Sequence, residues 1–398
     1  MTQVIAVPDV NLHTDNVIQR YFAFILNGAS GTLALNSSVD GGGTWTWQTL
    51  SGGPPAGVLS IAAATSFFGG NLASDGTAIN QIYSFVVGND QHLWVVVSLD
   101  NGTTWSWQDQ GPAPATIAGA PDAVSRESVE SPSALELDTY CYVIGTDGHL
   151  YVNYSQDNGT TWNWADRGTP PATTLAAGQP SVLSYFDGTH QSIYAFAIGN
   201  DNNLYANSGD GSTWNWQSLG QPSGVGVSSV ANFRPTALTI PPDAAKEIYV
   251  FVIGTNGHLF ACYSPSGGVG WTWEDLGVPP GTGIQSFFQN ALRVGIESKS
   301  AAFTWPVFVF AVGDDFNLYM TSSSDASLGP SATWNWQPLS QPPGRGLLGL
   351  NGAVASTEVE ASLAAYQMYI FASDFDSDLH TLRWNGSTWT WFDQNGPP

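Results

Sequence analysis

A Trp-x-Trp pair recurs seven times along the 398-residue chain, at Trp45/Trp47, Trp105/Trp107, Trp162/Trp164, Trp214/Trp216, Trp271/Trp273, Trp334/Trp336 and Trp389/Trp391. The first indole of each pair returns after 60, 57, 52, 57, 63 and 55 residues, and fourteen of the 17 tryptophans belong to this one feature. A unit of that length cannot bury its own faces and must stack on its neighbours, so the period restricts the chain to a repeat architecture.

The same pieces precede each pair. A small-residue, alternating segment such as residues 58–64 comes first. An aromatic run from Tyr to Gly follows, as in residues 83–88, 194–199 and 249–254. A polar turn then leads to a Leu-aromatic step: Leu93-Trp94, Leu150-Tyr151, Leu204-Tyr205, Leu259-Phe260 or Leu318-Tyr319. After a Gly-rich turn comes the Trp-x-Trp run, and a Gly/Pro-rich link opens the next copy. Four short alternating runs separated by turn chemistry predict an antiparallel meander. Seven of them predict an all-β, seven-bladed β-propeller of four-stranded antiparallel blades, with one Trp-x-Trp strand per blade. The small-residue strand should lie innermost and the Trp-x-Trp strand outermost, with both indoles on one face. The expected organisation is a single domain over 1–398, with blades near 1–53, 54–112, 113–170, 171–222, 223–280, 281–343 and 344–398. The ring is expected to close without a strand borrowed from the other terminus.

Composition excludes several partners. There are 32 Asp+Glu against 9 Lys+Arg, a formal charge of −23, so no basic stripe exists to neutralise nucleic-acid phosphates or meet an anionic membrane. A neutral partner fits this balance best. No apolar run is long enough to span a bilayer, and Met1-Thr2-Gln3 opens no signal-peptide pattern. The expectation is a soluble chain of cytoplasmic synthesis, with non-classical release if it leaves the cell. Cys141 and Cys262, at different places in their repeats, read as buried and unpaired.

The turn before Trp-x-Trp reads Ser-x-Asp-x-Gly-x-Thr-Trp at Ser38–Trp45, Ser98–Trp105 and Ser155–Trp162, which matches the Asp-box of sialidases and other propellers. The fourth copy, from Ser208 to Trp214, is one residue short, and the last three are degraded. A carboxylate there can accept hairpin N–H groups, so these boxes are assigned to folding. A sialidase-like glycosidase remains the enzymatic alternative, and a protein-binding propeller scaffold the other. The seven arginines are dispersed and no copy carries a distinct acid/base set, so no enzyme activity, cofactor or metal is expected. The Asp374–Asp378 run resembles a calcium loop but lacks the turn glycine and the bidentate Glu, and reads as a solvated acidic turn.

One rim of the meander repeatedly brings an indole near planar polar groups. Candidate sugar contacts are the second tryptophans, Trp47, Trp107, Trp164, Trp216, Trp273, Trp336 and Trp391. With them come Gln108, Gln217, Gln337, Asp90, His92, His149, Asn203, His258 and Asn317. A neutral sugar stacks its C–H face on an aromatic ring and offers its hydroxyls to such groups. The other reading of the indoles is as wedges between blades, and of the histidines as turn residues satisfied by the backbone. Copy two, with Trp107, Gln108, Asp90 and His92, is the preferred candidate, and Trp105 is read as structural.

With its seven Trp-x-Trp blades and Gly-His-Leu-Tyr turns, the chain resembles the Photorhabdus-type seven-bladed propeller lectins from Gln3 to Pro398. That resemblance implies L-fucose binding, with galactose or O-methylated glycans tolerated, at repeated sites between blades of a multivalent lectin. It also implies a homo-oligomer, dimer or tetramer, acting in contact with an insect or nematode host.

Overall fold

The computed structural model describes residues 2–11, 16–27, 30–72, 78–127, 137–186, 191–229, 234–239, 247–285, 292–296, 307–323, 333–356, 367–376, 378–385 and 387–396. Among these residues the regular structure is all strand, arranged as seven four-stranded antiparallel sheets. Each sheet uses four strands consecutive in sequence, which is the meander the repeat predicts. The fold class is therefore the seven-bladed β-propeller. Blade 1, for example, runs Thr2–Asn11, Asn16–Asn27, Thr32–Ser38 and Thr46–Thr49. Every fourth strand begins at the first tryptophan of its pair or one residue after it.

The chain forms two compact units, one within Met1–Gly168 holding blades 1–3 and one within Thr169–Asn395 holding blades 4–7. Inside each unit, the first strands of successive blades lie beside one another. The second and third strands are the most deeply covered. Ile248–Ile253 and Leu259–Ser264 are buried at every residue, so both faces of these strands are packed and their sequence is continuously apolar.

The core lies between blades rather than within them. Phe22, Phe24, Leu33, Leu35 and Leu50 of blade 1 meet Ile82, Val86 and Val96 of blade 2, and Trp105 and Trp107 pack on this cluster. Trp334 and Trp336 close the equivalent layer between blades 5 and 6. The first indole of a pair stands edge-on to an aromatic of the preceding blade. Trp105 meets Phe24 at 5.4 Å and 84°, Trp162 meets Phe85 at 5.6 Å and 78°, and Trp334 meets Phe251 at 5.9 Å and 74°. Cys141 and Cys262 are buried and unpaired. Among the described residues no helix is long and apolar enough to cross a membrane.

The Asp-boxes are hydrogen-bonded hairpins. In the first, Thr44 donates its N–H to Asp40 Oδ1 at 2.8 Å and its hydroxyl to Oδ2 at 2.7 Å. Ser38 donates to Asp40 Oδ1, and Trp45 Nε1 closes on the Gly42 carbonyl. Asp100 and Asp157 repeat the pattern. The boxes also clasp the preceding blade: the Tyr83 hydroxyl donates to Asn158 O at 3.1 Å, and the Tyr194 hydroxyl to Gly267 O at 3.0 Å. Gly102, at φ 80°, sits so close to Phe22 that a Cβ would lie 2.3 Å from its ring.

These bonds predict acid sensitivity. The N–H and then the hydroxyl of Thr44 hold the Asp40 carboxyl down at about 2. Burial pushes Asp100 and Asp157 up, but bonds from Thr104 and Thr161 more than offset it, and both end below the usual carboxylate range. A carboxyl whose folded pKa is depressed adds stability above its unfolded pKa of about 3.9, and that stability is lost as pH falls through the folded value. Thermal melts should therefore decline between about pH 4 and pH 2. Asp40→Asn should flatten part of that decline; an unchanged slope would remove the box from the account.

Candidate functional site

At one end of each blade the turn between second and third strands meets the link that follows the fourth. In blade 3, Leu150 N–H donates to Gly168 O and Arg167 N–H to Leu150 O, both near 2.9 Å. The side chains in these turns are committed to one another. Asp147 accepts the His149 N–H at 3.1 Å and the Tyr151 hydroxyl at 2.6 Å. Burial pushes the Asp147 carboxyl up, but the Tyr151 and His149 bonds outweigh it and hold it below its ordinary value. His149 Nδ1 lies 3.0 Å from Asp166 on the fourth strand, and Asp166 also accepts the Gly168 N–H.

The other predicted turn residues follow suit. His92 pairs with Asp109 at 2.9 Å and His258 with Asp275 at 3.0 Å. Asp90 accepts the His92 N–H and, at 3.3 Å, Trp94 Nε1. Asn203 and Asn317 donate to Asp201 and Asp315, each at 2.8 Å. The three histidines keep a third or more of their side-chain surface, so these hairpin clips leave an exposed imidazole edge at the rim.

All seven second tryptophans are half-buried on fourth strands. Three donate their indole N–H across the junction to a link carbonyl of the preceding blade: Trp164 to Gln110 O at 3.0 Å, Trp273 to Leu219 O at 2.9 Å and Trp336 to Leu276 O at 2.8 Å. Each acceptor stands three residues after the previous pair's second tryptophan. Trp107 and Trp391 differ, for their Nε1 atoms are buried and find no acceptor within the protein. A buried donor left unmade costs about 1–3 kcal/mol, so such positions call for a reason.

Beside Trp107 is a cleft of about 270 Å³ between blades 1 and 2. Ser30, Gly31 and Thr32 form one wall, the link from Leu50 to Val58 the other, and Leu33, Leu50, Pro54 and Val58 supply apolar surface. None of the lining residues is charged. The cleft exists because blade 1 lacks the rim clip: Ser30, Thr32 and Ala34 stand where blade 3 has Asp147, His149 and Tyr151. The facing link has Gly53, with the buried Pro54 one place on, where four other links place the buried prolines Pro170, Pro222, Pro279 and Pro342. The indole rests directly on Gly53, whose added Cβ would come within 3.0 Å of it.

The structure thus joins some predicted residues and separates others. Trp107 lines the cleft, while Asp90 and His92 are engaged within their own hairpin. Gln108 pairs with Val95, in the layer towards blade 3, whereas Trp107 pairs with Val96, in the layer towards blade 1. The two cannot hold one ligand. Gln217 and Gln337 are exposed beside Trp216 and Trp336, on the alternate face of their strands. Ser30, Thr32 and Gly53 escaped the sequence reading, whose signal would have been the missing Asp, His and Tyr in copy one.

The acidic run of blade 7 is not a freely solvated turn. Arg345 Nη1 bonds Asp374, Asp376 and Asp378 at 2.7, 3.0 and 2.8 Å. Buried Asp374 is also 3.0 Å from His380 Nε2. A guanidinium occupies the centre that a calcium loop would give to a metal.

No protein-family model and no curated relative matches the sequence. Solved structures do match. A mutant of the Aleuria aurantia lectin in complex with alpha-methyl-L-fucoside is 13% identical, with 86% of this chain and 97% of that one covered at a TM-score of 0.52. AofleA from Arthrobotrys oligospora is 11% identical, with 86% and 88% covered, also at 0.52. An alpha-l-arabinofuranosidase from Fusarium graminearum matches at 12% identity over 80% and 90%, with a TM-score of 0.47. At these identities the first two structures show a shared propeller fold and nothing finer.

Proposed function

We propose that the chain is a carbohydrate-binding lectin that takes neutral sugars at the rim, in junctions between adjacent blades, with Trp107 as the principal contact. The observation that carries this reading is the cleft between blades 1 and 2. It combines an indole, an unmade N–H donor, serine and threonine hydroxyls and an apolar wall, with no charge. A pyranose supplies the complement, with C–H faces for the indole and oxygens for the donors. The cleft holds no Asp or Glu, so it lacks the carboxylate pair that glycoside hydrolysis requires. The solved fucoside complex of a similar propeller favours L-fucose as ligand, ahead of galactose and O-methylated glycans. Further junction sites, or an oligomer, would let weak contacts add into avidity on a glycan-covered surface.

A glycan array probed with the labelled protein tests this. Neutral fucosylated or galactosylated glycans should retain it and sialylated ones should not, because a −23 chain repels anions. Aryl-glycosides should be returned uncleaved. A blank array, with capture of a protein partner instead, would replace the lectin by a scaffold. Turnover abolished by changing one carboxylate would replace it by a glycosidase.

A further inference from the structure

In the five links that join blades within one unit, the residue four places after the second tryptophan varies in step with the state of the next junction. It is Gly111, Gly220 and Gly277 where the following indole N–H is satisfied, by Gln110 O, Leu219 O and Leu276 O. It is Ser51 and Ser340 where the following indole, Trp107 or Trp391, finds no acceptor. The three glycines adopt one left-handed conformation, φ 70°, 71° and 70°, which directs the preceding carbonyl at the indole.

Serine breaks that arrangement in two ways. In the first link the left-handed residue moves one place on, to Gly52 at φ 84°, so the link takes another course past Leu50. In the sixth link Ser340 does turn left-handed, at φ 64°, but its own hydroxyl donates to Leu339 O, the carbonyl at the position that accepts the indole N–H in the glycine links. The outcome at the indole is the same although the geometry differs.

We infer that this glycine-or-serine position is the specificity switch of the five junctions within the two units: glycine closes a junction by satisfying the next blade's indole internally, and serine leaves that buried N–H unmade, to be met by a ligand's acceptor oxygen. This rests on the lectin reading for the identity of the ligand, but not for the state of the indole. Ser51 therefore marks the blade 1–2 junction as open and Ser340 marks the blade 6–7 junction, where Trp391 takes the place of Trp107. In the first link Gly53 assists, because a proline there would refill the space over Trp107. Pro342 in the sixth link shows that proline alone does not restore the bond, so the serine is the deciding residue.

The test rewrites the links in the whole chain. Ser51→Gly with Gly53→Pro gives the first link the Gly-x-Pro pattern of residues 277–279. The Trp107 indole N–H, assigned by its loss from a 15N spectrum in Trp107→Phe, should then gain protection from hydrogen exchange. Titration with methyl α-L-fucoside should lose one site, while a cooperative melt is retained, because the glycine and proline changes act oppositely on the unfolded chain and the new indole bond offsets the closer approach of residue 53 to Trp107. Gly277→Ser, which the left-handed Ser340 shows to be tolerable, should expose the Trp336 N–H to exchange. If the indole signals do not respond to either change, the switch is wrong even if sugar binds. If they respond but no sugar binds to any form, the switch stands and the lectin reading falls.

Discussion

Trp105→Ala is expected to cost about 3 kcal/mol of stability, at the low end for deleting a large aromatic because this indole keeps part of its surface exposed. The loss has three sources on one ring. Trp105 stands edge-on to Phe24 at 5.4 Å and Phe22 at 6.0 Å, it covers the apolar layer between blades 1 and 2, and its Nε1 donates to Gly102 O at 3.1 Å. Removing it opens a void between blades and frees the end of the second Asp-box. Denaturant titration should show a lower midpoint, and sugar binding by the folded fraction should persist, since Trp105 does not line the cleft. A variant that melts like the parent would mean that the blade interface does not depend on these indoles.

Trp107→Ala, two residues on, is expected to do the reverse. Its indole packs on the same layer, but one side faces Gly52, Gly53 and the cleft, and its N–H is bonded to nothing in the protein. Truncation therefore removes an unmade donor along with the ring, so the stability loss should be the smaller of the two. The stacking surface for a ligand disappears entirely. Sugar stacking on an aromatic ring depends on that face being present, so affinity at this junction should drop below detection.

The blades were legible in the sequence because their signals are short-range and repeated. Period-2 burial around Trp45/Trp47 and its copies, a Tyr-led aromatic strand and a turn carboxylate each report local geometry that seven copies reinforce. The rim was partly legible. The turn after the second strand and the link after the fourth do meet, as the meander requires, but side chains that meet there satisfy one another first: His92 with Asp109, His149 with Asp166, His258 with Asp275. Trp107 and Gln108 were grouped by nearness in sequence, whereas strand alternation puts them on opposite faces. The cleft was hidden for another reason. It is written in what blade 1 lacks, Ser30 for Asp, Ala34 for Tyr and Gly53 for Pro, and an absence becomes visible only once the filled junctions show what the missing groups do. The course of the first link depends on which residue turns left-handed, Gly52 rather than Ser51, and that choice is made in three dimensions.

The most direct test is calorimetric titration of the native chain, Trp105→Ala and Trp107→Ala with methyl α-L-fucoside and methyl β-D-galactoside, with melts recorded in parallel. The account predicts saturable binding by the native chain, one site fewer in Trp107→Ala with nearly the parent's melt, and an unchanged site count with a much lower melt in Trp105→Ala. Equal site numbers in the native chain and Trp107→Ala would contradict it, because the sugar would then rest somewhere other than the indole at the open junction.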